Sequence, residues 1–432
     1  MPQDIYPVSL TANPEGLMSL GGVALTSLAK TYGTPLYVMD GATLAANCQA
    51  YTATLAHHYP NSLVVFAGKA NLNLGLLNVL AKEGLGVDVV SGGELFTALK
   101  SRMSPANIVF HGNNKSAAEL EMAITNTIRI VVDHHHELHM IASIAESLGK
   151  QALIMLRLKP EIEAHTHDYI KTGHIDSKFG IDKRELISMA TWIAANPALK
   201  LLGIHSHIGS QIFDIQPYED LADIMVGHLA TLQNECGVLV EELNLGGGAG
   251  IYYTEADDPT PIATYLERMT SRLKMQLNKA GLPHPRLIVE PGRSIVGNAG
   301  ITLYTVGAIK DIPGIKTYLF VDGGMADNPR PLLYQSQYTF KVANNAHATP
   351  TRTYTIAGRY CESGDILAKD VLLPEVSIGD VIVVFGTGAY NYTMASHYNR
   401  CAIPAMAIVE DGQHRLLVKR ETYEDLIRYD LA

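Results

Sequence analysis

The chain has 432 residues, of which 47% are hydrophobic and 18% are charged, and its formal net charge is −10. This length is more than one ordinary domain needs, and the composition is that of a globular protein. The negative charge argues against a nucleic-acid partner or an anionic membrane. The sequence has no apolar run of about 18 residues and no signal-peptide pattern. Because its four cysteines form no CxxC pair, we expect reduced thiols and a cytoplasmic protein.

Eight short apolar runs alternate with stretches of helical period in the first two thirds of the chain. The runs are Leu63–Phe66, Val87–Val90, Ile108–Phe110, Ile130–Val132, Leu153–Leu158, Leu201–Ile204, Leu243–Leu245 and Leu287–Val289. The helical stretches between them are Leu74–Lys82, Glu94–Lys100, Ala117–Ile124, Leu138–Leu148, Tyr218–Asn234 and Ala263–Lys279. The alternation predicts a (β/α)8 barrel of the TIM type, and a doubly wound open sheet is the alternative.

Most of the apolar runs end in a reactive or small residue, namely Lys69, Asp88, His111, Asp133, Lys159, His207, Gly246 and Glu290. In a barrel the carboxyl ends of all eight strands meet on one face, which is the usual active-site face. In an open sheet the same residues would spread along an edge. The pattern therefore favours a barrel, which we assign to residues 35–301.

The alternation of apolar runs and helical stretches ends at about residue 301. Short β-rich segments follow, broken by Gly, Pro and Asp: Thr302–Ile309, Tyr318–Val321, Thr351–Ile356, Val381–Phe385, Ala405–Val409 and Leu416–Val418. They predict a separate C-terminal all-β domain. We expect residues 1–34, which precede the barrel pattern, to join residues 302–432 in this domain.

A lysine and a glycine-rich segment are the first candidates for chemistry. Lys69 follows the first apolar run between Gly68 and Ala70, which leave room beside it. A lysine in this position suits covalent chemistry with a carbonyl group, although a solvated strand end is the ordinary alternative. The segment LGGGAG (245–250) exposes backbone N–H groups that suit a phosphate. It does not match the loop that binds nucleoside triphosphates.

Two motifs at later strand ends carry charged and imidazole side chains. Glu290 is a candidate to bind a ring nitrogen and Arg293 to bind a phosphate or carboxylate, with a surface salt bridge as the alternative. In HSHIGSQ (205–211) one imidazole is expected to face the barrel interior, where it can stack on a planar cofactor, and Ser210 can bind a phosphate. Paired histidines also allow a metal site, but no further ligand is obvious nearby. The run His134–His136 is interpreted as a solvated loop rather than a metal site.

The segment CESGD (361–365) lies in the β-rich region. Cys361 beside carboxylates is a candidate proton donor, and a buried, inert thiol is the alternative.

The ordered set of motifs resembles the fold-type III pyridoxal-phosphate-dependent decarboxylases. The matching segments are FAGKAN (66–71), GVDVVSGGEL (86–95), HGNNK (111–115), TGHIDSKFGI (172–181), HSHIGSQ (205–211), LGGGAG (245–250), EPGR (290–293), DGGMADNPRPLLY (322–334), CESGD (361–365) and GAYNYTMASHYN (388–399). The resemblance spans about residues 60–400 and is fullest for the branch that acts on diaminopimelate. It implies a barrel that binds pyridoxal 5'-phosphate, a β domain that contributes to the active site, and a homodimer with shared active sites. No metal is expected.

The resemblance also implies roles at the cofactor. Lys69 would bind the cofactor covalently with Asp88 nearby, and His207 would stack on the ring. Glu290 would bind the ring nitrogen. The remaining cofactor contacts would come from Ser210, Gly247, Gly248, Gly292, Arg293 and Tyr390, and the phosphate is assigned to four of these, Ser210, Gly247, Gly248 and Tyr390.

Other roles implied by the resemblance concern the substrate. Cys361 would donate a proton to the decarboxylated carbon, acting in the active site of the neighbouring subunit. The distal carboxylate of the substrate would be bound by Arg293, Arg330 and Tyr334, with Tyr390 also in contact. Glu362 would bind the distal ammonium group.

The implied reaction is decarboxylation of meso-2,6-diaminopimelate to L-lysine and CO2, the last step of lysine biosynthesis. Ornithine has no distal carboxylate, so it would leave buried arginines unpaired. The alternatives are a decarboxylase of ornithine, arginine or carboxynorspermidine, a racemase of the same fold, and a non-catalytic binding homologue.

Two positions depart from the family pattern. Tyr338 stands where a histidine is common, and Gly68 stands where a bulkier residue is common before the lysine. The segment HTHDYIKTG (165–173) is a candidate loop over the barrel mouth.

Overall fold

Buried runs rich in Val, Ile and Leu become the eight parallel strands of a closed barrel. The computed structural model describes residues 5–160 and 178–431, so the candidate loop 165–173 and most of the segment 172–181 lie outside the described residues. Clustering of contacts divides the chain into two units. The barrel unit comprises the described residues of Cys48–Gly250 and Pro259–Gly292. The β unit comprises the described residues up to Asn47, the segment Ile251–Asp258, and the described residues from Arg293 onward.

The chain begins with short elements that lead into the barrel. A three-stranded antiparallel sheet is formed by β1 (Leu10–Ala12), β2 (Met18–Leu20) and β3 (Val23–Ala24). The elements that follow are α1 (Leu25–Tyr32), β4 (Leu36–Asp40) and α2 (Gly41–His58). The strand β4 falls inside the range 35–301 expected for the barrel, but it pairs with strands of the β unit. A fully buried run such as LYVMD does not reveal from its sequence which sheet it joins.

The barrel strands are β5 (Ser62–Ala67), β6 (Gly86–Val89), β7 (Ile108–Phe110), β8 (Arg129–Val132), β9 (Ala152–Arg157), β10 (Leu199–His205), β11 (Glu242–Asn244) and β12 (Arg286–Val289). Each strand pairs in parallel with the next, and β12 pairs with β5 to close the sheet. The prediction of a (β/α)8 barrel is confirmed, and each predicted run overlaps one of these strands to within one or two residues at each end. The helices are α3 (Leu74–Lys82), α4 (Gly92–Lys100), α5 (Ala117–Thr125), α6 (His135–Ser147), α7 (Leu186–Ala194), α8 (Gln216–Cys236) and α9 (Ile262–Lys279).

Side chains that alternate along the strands fill the barrel interior. One buried layer is formed by residues of six strands: Leu63, Val65, Val109, Val131, Met155, Leu202 and Ile288. At the amino ends of the strands, Arg129 of β8 donates two hydrogen bonds to Oε1 of Glu242 in β11, at 3.0 and 2.7 Å. The interior is therefore packed, and functional groups must lie at its ends.

The β unit is built on a nine-stranded mixed sheet around the long strand β13 (Gly300–Ile312). The first half of β13 pairs with β4 and β18, and its second half pairs with β14. The other strands after the barrel are β14 (Lys316–Val321), β15 (Phe340–Val342), β16 (Arg352–Ala357), β17 (Ile366–Leu373), β18 (Val381–Phe385), β19 (Ala405–Glu410) and β20 (Gln413–Val418). Three short helices also belong to this unit, α10 (Arg293–Val296), α11 (Arg330–Tyr334) and α12 (Tyr423–Ile427).

Alternating residues of β13 pack into two different cores. Ile301 and Leu303 belong to one buried cluster, whereas Tyr304 and Val306 belong to another. The predicted second domain, rich in β-structure, is thus observed. No helix in the described ranges has both the length and the apolar character needed to cross a membrane.

A buried ion pair fixes two of the loops at the carboxyl ends of the barrel strands. Lys115 Nζ lies 2.5 Å from Glu137 Oε1 and also donates to the carbonyl oxygens of Gly112 and Val131. The second oxygen of Glu137 accepts the N–H of Asp133 at 2.7 Å. Both side chains are almost fully buried, so each depends on the other for its charge to be compensated.

We predict that Lys115→Met lowers the free energy of unfolding by about 3–5 kcal/mol, because it leaves the Glu137 carboxylate buried without its partner. The double variant Lys115→Met/Glu137→Leu should be more stable than Lys115→Met alone. Lys200→Met is the matched control, because Lys200 and Glu241 form an exposed pair and should contribute no more than about 1 kcal/mol. Urea denaturation measures all three. Equal losses in Lys115→Met and Lys200→Met would contradict the assigned importance of the buried pair.

Candidate active site

The candidate lysine lies directly after the first barrel strand. Lys69 belongs to a short 3-10 turn, Gly68–Ala70, and its side chain is exposed. A Cβ atom on Gly68 would lie 2.7 Å from the carbonyl oxygen of Asp88, so a larger residue does not fit at this position. The glycine that departs from the family pattern therefore has a local reason.

Asp88, at the end of β6, is a buried carboxyl group near the lysine. Burial, and after it the nearby Glu290, raise the pKa of Asp88 to about 7, while the charge of Lys69 opposes this rise. Its Oδ1 atom has no hydrogen-bond partner within the described part of the chain. A buried polar atom without a partner indicates a place where a ligand completes the site.

Glu290, at the end of β12, accepts hydrogen bonds from two buried side chains. His111 Nε2 lies 2.7 Å from Glu290 Oε1, and Asn244 Nδ2 donates to the same oxygen at 2.6 Å. His205 Nε2 lies 3.3 Å from Oε2 without the alignment of a hydrogen bond. Burial alone would raise the pKa of Glu290, but the proximity of His111 and His205 holds that pKa well below its usual range. The group is therefore charged and can accept a hydrogen bond from a protonated ring nitrogen.

The same groups have the composition of a two-histidine, one-carboxylate metal site. Their ligand atoms lie within 4.8 Å of one another. In a tetrahedral zinc site with bonds of about 2.0–2.1 Å, however, two ligand atoms are separated by about 3.3 Å. The 2.7 Å separation between His111 and Glu290 is that of a hydrogen bond instead. We therefore interpret the set as support for the carboxylate.

His207 follows β10 and contacts the glycine-rich segment. The N–H of Gly247 donates to Nδ1 of His207 at 3.3 Å, so a neutral imidazole carries its proton on Nε2. Burial, and after it the charge of Lys69, lower the pKa of His207 well below its usual value. The ring is thus neutral and held in one orientation. Its neighbour His205 belongs to the Glu290 group.

The glycine-rich segment packs so closely that side chains are excluded. A Cβ atom on Gly247 would lie 2.0 Å from the carbonyl oxygen of Glu290, and one on Gly248 would lie 2.3 Å from that of Gly209. Gly248 also has a φ of +117°. The amide of Ile212 donates to the carbonyl of Gly248, which brings the loop that carries Ser210 beside the glycines. The N–H groups of Gly246, Gly247 and Gly250 donate within the protein. An anion at this segment would therefore have to be bound by its other N–H groups and by neighbouring side chains such as Ser210.

In the β unit two arginines pack against tyrosine rings. The guanidinium carbons of Arg293 and Arg330 lie 4.8 and 5.4 Å from the ring centre of Tyr390, and Arg330 lies 5.0 Å from that of Tyr334. Arg293 also donates to the hydroxyl of Tyr253 at 2.6 Å. We call these five residues the arginine–tyrosine cluster.

Arg330 has no described counter-ion, although only 8% of its surface is exposed. Its Nη2 donates to Ser336 at 3.4 Å, whereas Nε has no hydrogen-bond partner in the described residues. Tyr338, where the family commonly has a histidine, is buried and its ring packs edge-on against that of Tyr253 at 5.3 Å. A buried cation without a carboxylate indicates a site for an anionic group.

Cys361 and Glu362 lie in an exposed turn after β16. The N–H of Cys361 donates to Asn399 Oδ1 at 2.8 Å. The alternative of a buried cysteine is wrong, since Cys361 is exposed in the chain. The turn is further held by Asp365, which accepts the N–H groups of Met325 and Tyr360.

Sequence reasoning did not find the residues that support the named groups. The sequence pattern predicts His111 only as a strand end, because its partner Glu290 is 179 positions away. Nor did any pattern mark Asn244 or Tyr253. The interpretation of His134–His136 as a loop is wrong for His135 and His136, which begin α6. His134 is the N-cap of that helix, because its Nδ1 accepts the N–H of Glu137.

Comparison with known proteins gives consistent results. Residues 43–297 match the family described as "Pyridoxal-dependent decarboxylase, pyridoxal binding domain". The chain is 46% identical to a diaminopimelate decarboxylase from Synechocystis, over 99% of this chain and 93% of the relative. It is 43% identical to the Bacillus subtilis diaminopimelate decarboxylase, over 97% and 96% of the two chains. The crystal structure of the M. jannaschii diaminopimelate decarboxylase in complex with L-lysine superposes with a TM-score of 0.90 at 33% identity, covering 98% of both chains.

The barrel residues fit pyridoxal phosphate by their own chemistry. The glycine segment and Ser210 suit its phosphate, the neutral His207 suits its ring, and the charged Glu290 suits its ring nitrogen. Lys69 supplies the amine, and its charge acts on the nearby carboxyl group of Asp88, whose Oδ1 has no described hydrogen-bond partner.

We predict that Gly247→Ala weakens pyridoxal-phosphate binding at least about 10-fold, because the added methyl group would collide with the backbone of Glu290. Gly227→Ala is the matched control, because a Cβ atom at Gly227 in α8 meets nothing within 4 Å. That control should bind normally and be slightly more stable, since alanine favours a helix by about 1 kcal/mol over glycine. Absorbance titration measures binding, and thermal unfolding measures stability. Normal pyridoxal-phosphate binding by Gly247→Ala would contradict the proposed role of the glycine-rich segment in binding the cofactor.

Proposed function

This chain belongs to the pyridoxal-dependent decarboxylases, in the group of diaminopimelate decarboxylases, and we propose that the residues described above carry out that reaction. The protein converts meso-2,6-diaminopimelate to L-lysine and CO2, the last step of lysine biosynthesis. Full-length similarity to curated diaminopimelate decarboxylases supports this function. The single structural observation that carries it is Arg330, a buried arginine without a described counter-ion.

Barrel residues are proposed to hold the cofactor. Bound pyridoxal phosphate supplies an electron sink for the electrons left when the α-carboxylate departs. Lys69 would hold the cofactor covalently, Glu290 would accept a hydrogen bond from the protonated ring nitrogen, and His207 would contact the ring. The remaining contacts are assigned to Asp88, Ser210, Gly247, Gly248 and Gly292.

The arginine–tyrosine cluster is proposed to recognise the substrate. Arg293, Arg330 and Tyr334 bind the distal carboxylate, and Tyr390 contributes to substrate and phosphate binding. A carboxylate compensates the Arg330 charge, whereas the amine of ornithine would add a like charge. The charge of this cluster supports diaminopimelate as the substrate. Ornithine, arginine and carboxynorspermidine each have a single carboxylate, which is the one lost in the reaction, and therefore have none at the distal end.

Cys361 is proposed to return a proton to the carbon that loses CO2, and Glu362 to bind the distal ammonium group. The exposure of both residues in one ordered turn supports roles outside the protein core. We further propose a homodimer, in which Cys361 acts in the active site of the partner chain, and a cytoplasmic location. These assignments are carried by the motif match.

We predict that the purified protein loaded with pyridoxal phosphate releases CO2 and L-lysine from meso-diaminopimelate. Ornithine, arginine and carboxynorspermidine should give no more than about one hundredth of that rate, because they leave or create unpaired buried charge. Carbon dioxide release and amine chromatography measure the reaction. Preferred turnover of another substrate would overturn the assigned specificity, and racemisation without CO2 would overturn the reaction.

We also predict that Arg330→Ala raises the KM for diaminopimelate by about 10–150-fold, which corresponds to charged hydrogen bonds of about 1.5–3 kcal/mol. The affinity for pyridoxal phosphate should remain unchanged. Arg352→Ala is the matched control, because Arg352 lies in the same unit but pairs with Asp311 at the exposed surface. Steady-state kinetics measures the KM of both variants. An unchanged KM in Arg330→Ala would mean that another group binds the distal carboxylate.

A further inference from the structure

The Glu290 carboxylate is engaged unequally at its two oxygens. Oε1 receives both close donors, His111 Nε2 at 2.7 Å and Asn244 Nδ2 at 2.6 Å. Oε2 has only the unaligned approach of His205 at 3.3 Å. All four side chains are buried, so water does not substitute for these contacts. The protein thus saturates one oxygen and leaves the other for a ligand.

The orientation of the Asn244 amide is fixed by the glycine-rich segment. Its Oδ1 accepts the N–H of Gly246 at 2.9 Å, so its NH2 group must point toward Glu290. The N–H of Glu290 in turn donates to the carbonyl oxygen of Gly246 at 2.7 Å. Because an NH2 group only donates, Oε1 of Glu290 must act as an acceptor. Asn244 alone, however, cannot prevent protonation of Oε2.

We propose that His111 is a positioning residue, which holds Glu290 as a carboxylate and directs Oε2 to the ring nitrogen of the cofactor. The inference rests on the proposed function, because it requires Glu290 to bind that nitrogen. Among the donors to Oε1, His111 is the one that comes from a distant strand end, after β7. Its ring also packs edge-on against that of His205, with 4.7 Å between the centres, so its position is fixed on two sides.

The electrostatic surroundings explain why such support is needed. Within the described residues, the other charged or titratable groups near Glu290 include Asp88, Arg157, His205 and His207. Burial lowers the pKa of His205 to about 3, so that ring is neutral near pH 7. Asp88 favours protonation of Glu290 and Arg157 opposes it. A buried carboxylate beside another carboxyl group keeps its charge only when strong donors reach it.

The test compares His111→Leu, His111→Gln and the wild type, each loaded with pyridoxal phosphate labelled with 15N in the ring. The 15N chemical shift reports whether the ring nitrogen is protonated. His111→Leu removes the donor, whereas the amide of His111→Gln retains an N–H of similar reach. His284→Leu is the matched control, because His284 is an exposed histidine of the same unit with Asn278 as its partner.

We expect His111→Leu to shift the ring nitrogen toward its unprotonated form and to lower kcat by about 10–100-fold, with KM for diaminopimelate unchanged. His111→Gln should restore much of both signals, and His284→Leu should match the wild type. If His111→Leu does not fold, His111→Asn, whose amide is too short to reach Glu290, takes its place. An unchanged 15N shift and kcat in the variant without a donor would overturn the proposal.

Failure of the proposed function gives a different result. If the loaded wild type does not decarboxylate diaminopimelate but its 15N shift responds to His111→Leu, the substrate assignment fails and the positioning role stands. If the ring nitrogen of the wild type is unprotonated, the positioning role fails whatever the substrate is.

Discussion

Closure of the barrel between its last and first strands is the constraint on which the candidate site depends. β12 pairs with β5, and the N–H of Ala67 then donates to the carbonyl oxygen of Pro291 at 2.9 Å. At Gly292 a Cβ atom would lie 2.9 Å from that of Ala67, so the two strand ends touch. This contact places Lys69 and Glu290 at neighbouring strand ends. The amine and the carboxylate are therefore brought together by backbone pairing before any side chain contributes.

Periodicity predicted the barrel because its strands are locally encoded. Each buried run is short, apolar and followed by a turn, so residues such as Lys69 and Glu290 could be placed at strand ends from the sequence. The sheet that β4 joins could not be predicted, since β4 pairs with β13 and β19, which lie far along the chain. The hydrogen-bond partners of Glu290 could not be predicted from the sequence either. Hydrogen bonds across the barrel depend on register and tilt, which the pattern of single runs does not contain.

Glycine and charge act together in the barrel unit. Gly246 orients Asn244, Asn244 donates to Glu290, and the adjacent Gly247 packs on the backbone of Glu290. The segment that suits the phosphate therefore also supports the carboxylate that suits the ring nitrogen. Because close packing and hydrogen bonds share the same few atoms, the proposed contacts to the phosphate and to the ring nitrogen would depend on one segment of backbone.

The proposed specificity rests on a buried charge for which the described residues supply no counter-ion. The chain is acidic overall, with a formal net charge of −10, yet Arg330 is buried with tyrosine rings rather than a described carboxylate beside it. Aromatic faces attract a guanidinium but do not neutralise it, so the folded protein carries a desolvation penalty at this position. A substrate carboxylate relieves that penalty, and an ammonium group increases it. Because the empty site is the same reference for every substrate, discrimination would arise from the difference between complexes in which Arg330 is paired with a carboxylate and complexes in which it is not, which supports the proposal of a substrate with carboxylates at both ends.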